Sequence, residues 1–205
     1  MNAPQQKRIL EADEFVLRDA KGKVRARLKV GEGGPILKFS DSSENVRAQL
    51  AVGDESSVLQ FHRADGKLQV AVGELQDASG LALYDANGKQ RTMLVIAEQG
   101  PVLILKDAAE KLRVQLAVLE DQPFLELRGP EGNLQMMLGV IEEAPQFMLH
   151  DANGMLRVIL TGSADNPGLA VHDENGKIRV WVTMGEDNAT IALFDAQGKL
   201  LYSAP

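Results

Sequence analysis

The chain has no cysteine among its 205 residues, which excludes disulfides, thiolate metal sites and a cysteine nucleophile. Aromatic residues make up only 4% of it, against 44% hydrophobic residues overall, so aliphatic side chains must fill any core. Basic residues are in the minority, 22 against 29 acidic, for a formal net charge of -7. That balance argues against nucleic acid as the main partner, because neutralising phosphates takes a basic face, and it chiefly favours solubility. No stretch approaches the 18 or so apolar residues of a membrane-spanning helix, and the opening MNAPQQKRILEADEF lacks the apolar run of a secretory signal. The expectation is a soluble, cytoplasmic protein, and the sequence gives membrane association no support.

What is present is a repeat. Asp19, Asp41, Asp85, Asp107, Asp151, Asp173 and Asp195 fall on a 22-residue spacing, with Arg63 and Gly129 in the two remaining slots. Nine units run from about residue 14 onward without an insertion, and fixed periods of this kind mark solenoids, propellers and related arrays. Residues 1–13 are therefore expected to be a lead-in segment and 14–205 a single domain of nine repeats.

Each unit reads as a β-hairpin, a short alternating strand such as LALY meeting DANGK and then a longer strand such as QRTMLVI. The aspartate can bond the turn backbone, and the glycine that follows accepts the left-handed conformation ending a type I turn with a G1 bulge. Gly22, Gly66, Gly88, Gly132, Gly154, Gly176 and Gly198 hold that slot, whereas Glu44 and Glu110 do not, so the second and fifth turns are expected to differ. Alternation puts Phe15, Leu17, Val24, Ala26, Leu28 and Val30 on one side of the first hairpin and Arg18, Arg25, Arg27 and Lys29 on the other. The aliphatic side is the expected core.

A 66-residue period overlies the first. An arginine follows the turn at Arg25, Arg47, Arg91, Arg113, Arg157 and Arg179, while every third unit carries Gln69, Gln135 or Leu201 there. The strands SSENVRAQLAV and AAEKLRVQLAV match across the same interval. The fold expected is all-β: nine hairpins with a threefold super-repeat closing into a shallow barrel or ring, the alternative being a three-sided β-prism or hairpin solenoid. A propeller would need four strands per blade, and nine hairpins do not divide that way.

The run GLALYDANGKQR, echoed in GLAVHDENGKIR, resembles bacterial proteins of unknown function built from serial Asp-x-x-Gly-Lys-x-Arg hairpins, and is similar to the family described as the β-flower. That resemblance covers nearly the whole chain, yet its motif is a turn signature. It implies a shallow symmetric barrel around a hydrophobic channel, and through the barrel's likeness to tubby-type domains the binding of lipid or another apolar ligand. No site residue transfers with it.

No constellation of residues announces catalysis. His62, His150 and His172 all precede the turn slot, where imidazole beside Asp151 and Asp173 would suit zinc, but Arg18, Ser40, Tyr84 and Phe194 occupy the same slot elsewhere. The slot reads as an exposed strand end with no metal. The lysine after the turn glycine puts a cation where calcium would sit, against an EF-hand reading. No phosphate loop, nucleophile elbow or HExxH pattern is present. The arginines are expected to pair with turn aspartates and neighbouring acids, and GDES, LEDQ, IEEA and GEDN make the opposite rim acidic.

One asymmetry points to function. The slot held by Arg27, Gln49 and Ala71 becomes Met137, Ile159 and Trp181 in later units, with Met148 on a neighbouring strand. Apolar groups gathered on an outer face mark an interface or ligand surface. The functional expectation is a non-enzymatic binding or structural module, with Trp181, Ile159, Met137 and Met148 contacting another protein, another copy or an apolar ligand, and no cofactor. The alternative is lipid or other apolar-ligand binding in an internal channel.

Overall fold

The structure, a computed structural model, describes residues 9–75, 78–185 and 188–205. These form strands throughout, with no helix among the described residues. The first three hairpins are β1 (Glu14–Arg18) with β2 (Val24–Gly31), β3 (Gly34–Ser40) with β4 (Val46–Val52), and β5 (Ser57–His62) with β6 (Leu68–Leu75). The next three are β7 (Ala78–Tyr84) with β8 (Gln90–Ala97), β9 (Gly100–Lys106) with β10 (Leu112–Leu119), and β11 (Gln122–Arg128) with β12 (Leu134–Ile141). The last three are β13 (Ala144–His150) with β14 (Leu156–Thr161), β15 (Gly168–His172) with β16 (Ile178–Met184), and β17 (Ala189–Phe194) with β18 (Leu200–Ala204).

All eighteen belong to one antiparallel sheet, in which each strand pairs with the strands before and after it in the chain. Among the described residues no pairing joins β18 to β1. The sheet is not closed, so the expected architecture holds as far as one all-antiparallel sheet of hairpins.

The turns follow the sequence. In the fourth hairpin the Gly88 N–H donates to the Asp85 carbonyl at 3.0 Å and the Asp85 N–H to the Lys89 carbonyl at 2.9 Å, with Gly88 at φ 82. This is the type I turn with a left-handed fourth residue. The expectation that the second and fifth turns differ is corrected. Glu44 and Glu110 take φ 66 and 64 and donate the same bonds to Asp41 and Asp107, each at 3.0 Å. Hydrogen bonding by the rest of the turn overrides the glutamates' preference, at the cost of placing a Cβ in the left-handed region. Glu110→Gly is therefore expected to raise stability by about 1 kcal/mol, read as an upward shift of the urea midpoint at unchanged slope. At Glu44 the gain should be smaller, because its Oε1 accepts the Val24 N–H of the preceding hairpin at 3.0 Å.

Alternation in the sequence becomes two chemically distinct faces, and the register lines them up. On one face a row runs Phe15, Leu28, Leu37, Leu50, Leu59, Val72, Leu81, Leu94, Leu103, and onward through Leu116, Leu125, Leu138, Phe147, Leu160, Leu169, Val182 and Ile191 to Ala204. Every strand contributes one rung, and none is polar.

This apolar face is not a closed core, which corrects the expectation. Leu28, Leu94, Ile96, Leu116, Leu138 and Leu160 are exposed. The buried residues Ala71, Ala82, Val95, Val102, Ala117 and Ala192 lie on the face expected to point outward. There Met93, Ile104 and Phe124 pack against Val95, Val102 and Ala117. The reason is that a single layer of sheet has no second layer to cover either side. Short alanines facing larger neighbours are shaded by them, Ala71 by Gln60, Ala82 by Met93, Ala117 by Phe124 and Ala192 by Trp181, while leucines standing side by side keep their tips open. The chain exposes 14164 Å², whereas a compact monomer of 22.2 kDa exposes about 9,400 Å².

Candidate functional site

The repeat motif assembles a staple at one end of six of the nine hairpins, those that carry both the turn aspartate and the arginine after it. In the fourth unit Asp85 Oδ1 accepts the N–H groups of Asn87 at 2.8 Å and Lys89 at 3.1 Å, and its Oδ2 lies 3.3 Å from Arg91 Nη1. The same guanidinium donates through Nε to the Lys106 carbonyl of the next hairpin at 2.9 Å. Lys89 Nζ donates to the Ala108 carbonyl of the next turn at 2.9 Å. Equivalent ion pairs hold Arg25, Arg47, Arg113, Arg157 and Arg179 to Asp19, Asp41, Asp107, Asp151 and Asp173. The arginine rows therefore pair with the turn aspartates as expected, while on the next hairpin they reach backbone carbonyls and not acids. Each Asp-x-x-Gly-Lys-x-Arg carries out a structural task, closing its own turn and tying it to the next.

This wiring has a pH consequence. Loss of surrounding water pushes the Asp85 carboxyl up, but the Lys89 and Asn87 N–H groups and the Arg91 guanidinium together outweigh it and hold the carboxyl below its ordinary range. Asp173 is lowered first by the Lys177 N–H, with Asn175 and Arg179 adding to it. A carboxyl depressed in the folded state stabilises the fold at pH values above its unfolded pKa of about 3.9, and that stability is lost as pH falls through the lower folded value. Melting temperature is accordingly expected to hold steady above about pH 5 and to fall progressively below about pH 4. A flat profile down to pH 2 would contradict the staple.

The histidine slot is corrected as well. His62, His150 and His172 are half-buried, not exposed, and their Nδ1 atoms are sequestered without a hydrogen-bond partner. At His62 the Arg47 side chain of the preceding hairpin reaches the same strand end, its Nε donating to the His62 carbonyl at 2.9 Å. Among the described residues no three His, Asp or Glu side chains form a metal-binding group.

Met137, Met148, Ile159 and Trp181 do fall in one line. Register pairs Met137 with Met148, Met148 with Ile159, Ile159 with Ala170, and Ala170 with Trp181. The first three are half-buried, and Trp181 is 43% exposed. They lie on the face opposite the leucine ladder.

The ladder is the larger apolar surface, and it carries grooves. One of about 520 Å³ lies among Val72, Leu81, Leu94 and Ile96, with Ser57, Glu74 and Ser79 at its polar edge. A second of about 350 Å³ uses Leu138, Phe147 and Leu160, and a third of about 270 Å³ uses Phe15 and Leu28. Leu28, Leu94 and Leu160 are 66 residues apart, as are Phe15, Leu81 and Phe147, so the super-repeat of the sequence returns as a recurring groove. The first is in the 300–1,000 Å³ range of small-molecule sites.

Sequence reasoning overlooked both the open ladder and Glu74. The signals were there: Leu28, Leu50, Val72, Leu94, Leu116, Leu138, Leu160 and Val182 recur every 22 residues, and Glu74 continues the parity of Val70 and Val72. No known family model and no curated protein matches this chain.

Proposed function

We propose that the protein is a non-enzymatic binding module whose working surface is the leucine-ladder face, and that its ligand is an apolar or amphiphilic small molecule. The observation that carries this reading is the uninterrupted row of Leu, Val, Ile and Phe across β1 to β17, left uncovered by any other part of the described chain. Exposed apolar patches of more than a few hundred Å² mark binding surfaces in soluble proteins. The charged groups of the repeat motif are meanwhile committed to turns and neighbouring hairpins, which favours a binding role over catalysis.

A ring goes with this reading. Along the row that contains Ala170, Trp181, Ala192 and Ser203, residues facing each other across neighbouring strands advance by 11. Continuing that step places Val16 opposite Ser203, so β18 and β1 have matching registers for closure. A ring closed there would line its channel with the ladder, in keeping with the likeness to the β-flower.

Calorimetric titration with decanol below its solubility limit tests the reading. Saturable binding with a negative heat-capacity change is expected, the mark of apolar burial. The absence of any saturable heat across temperatures would overturn it.

A further inference from the structure

Glu74 interrupts the apolar face. Its parity with Val70 and Val72 and its pairing opposite Ser79 put it on the ladder side of β6. On that side the other paired rungs of its row are Val30, Pro35, Val52, Ser57, Ser79, Ile96, Pro101, Val118, Pro123, Val140, Pro145, Met184 and Ala189, none of them charged. Glu74 is exposed, makes no ion pair among the described residues, and borders the groove of about 520 Å³ together with Ser57 and Ser79.

We propose that this groove is a selective site for an amphiphile with a cationic head, its apolar chain along Val72, Leu81, Leu94 and Ile96 and its ammonium at Glu74. The inference rests on the apolar-binding reading above and names the ligand class. Charge complementarity decides the class. A neutral chain laid in the groove would strip water from an unpaired carboxylate, which is costly; an ammonium there replaces the lost hydration with a charge-assisted hydrogen bond. The hydroxyls of Ser57 and Ser79 flank the same point and can accept the remaining ammonium protons. The net charge of -7 adds a general attraction for cations.

The protein contains its own control. Sixty-six residues on, the equivalent groove has Val140 and Pro145 where this one has Glu74 and Ser79. That second groove offers an apolar wall with no counter-charge, so it should not distinguish head groups.

The test is titration of the full chain with decylammonium and with decanol, each below its aggregation limit, for wild type, Glu74→Gln and Glu74→Val, with melting temperatures confirming that the variants fold. The wild type is expected to bind decylammonium at least tenfold more tightly than decanol at one site, and both variants to lose that preference while still binding decanol. Salt should weaken only the decylammonium binding of the wild type. Equal affinity for the two ligands in wild type, or a preference that survives in Glu74→Gln, would overturn the proposal while leaving apolar binding intact. Failure of both ligands to bind would overturn the apolar-binding reading and this proposal together.

Discussion

Gly100→Ala is expected to destabilise the fold by about 3 kcal/mol or more, the largest effect of any single substitution considered for this chain. Gly100 opens β9 at φ 136, a region that residues with a side chain rarely enter. A Cβ there would also run into the Val118 carbonyl of β10, a backbone atom with no rotamer into which it could retreat. Gly34, 66 residues earlier, has φ 116 and the same conflict with the Val52 carbonyl, so Gly34→Ala should behave alike. Gly33 is the control: a Cβ there meets nothing within 4 Å, and Gly33→Ala should stay within about 0.5 kcal/mol of wild type. Urea denaturation of the three variants checks the ranking. Near-equal midpoints would mean that these strand entries are not built as described.

Replacing Val72, Leu94 and Ile96, which line one groove, together with Gln is expected to weaken decanol binding by about 100-fold while leaving the strands formed. The three side chains are 42%, 46% and 61% exposed, so roughly half of each remains for a ligand to cover. Half the burial of such an aliphatic side chain is worth about 1 kcal/mol, and three such losses amount to about 3 kcal/mol, or some 150-fold in Kd. Glutamine supplies inner methylenes to pack against adjacent rungs and puts its amide at the open tip. In a meander whose hairpins touch only their chain neighbours, the cost to folding should also stay local. Unchanged affinity in a folded triple variant would move the binding surface elsewhere.

The turns and strand faces were legible in the sequence because they depend on local rules. Asp85, Gly88, Lys89 and Arg91 stand at spacings that one hairpin satisfies by itself, and the structure satisfies them as read. Local rules also explain where the reading failed at Glu44 and Glu110: a missing glycine changes the cost of a turn, while the surrounding hydrogen bonds decide its shape. Which face is shielded is not a local property. Ala82 and Leu81 are neighbours in sequence, yet Ala82 is buried and the Leu94 rung beside Leu81 is open, because shielding depends on the size of side chains eleven residues away on adjacent strands. Closure was equally out of reach, since whether β18 meets β1 depends on curvature summed over the whole sheet. Glu74 became conspicuous only when register set it in a row of rungs that carry no charge.

The most direct test is which face a ligand touches. Decanol carrying a photoreactive diazirine near its terminal methyl, irradiated with the protein and mapped by peptide mass spectrometry, labels what the chain lies against. Adducts are expected on the ladder side of β6 to β9, at Val72, Leu81, Leu94 and Ile96, and at the repeat-related Leu138, Phe147 and Leu160. Labelling concentrated instead on Met137, Met148, Ile159 and Trp181, on the opposite face, would contradict the assignment of the ladder as the working surface.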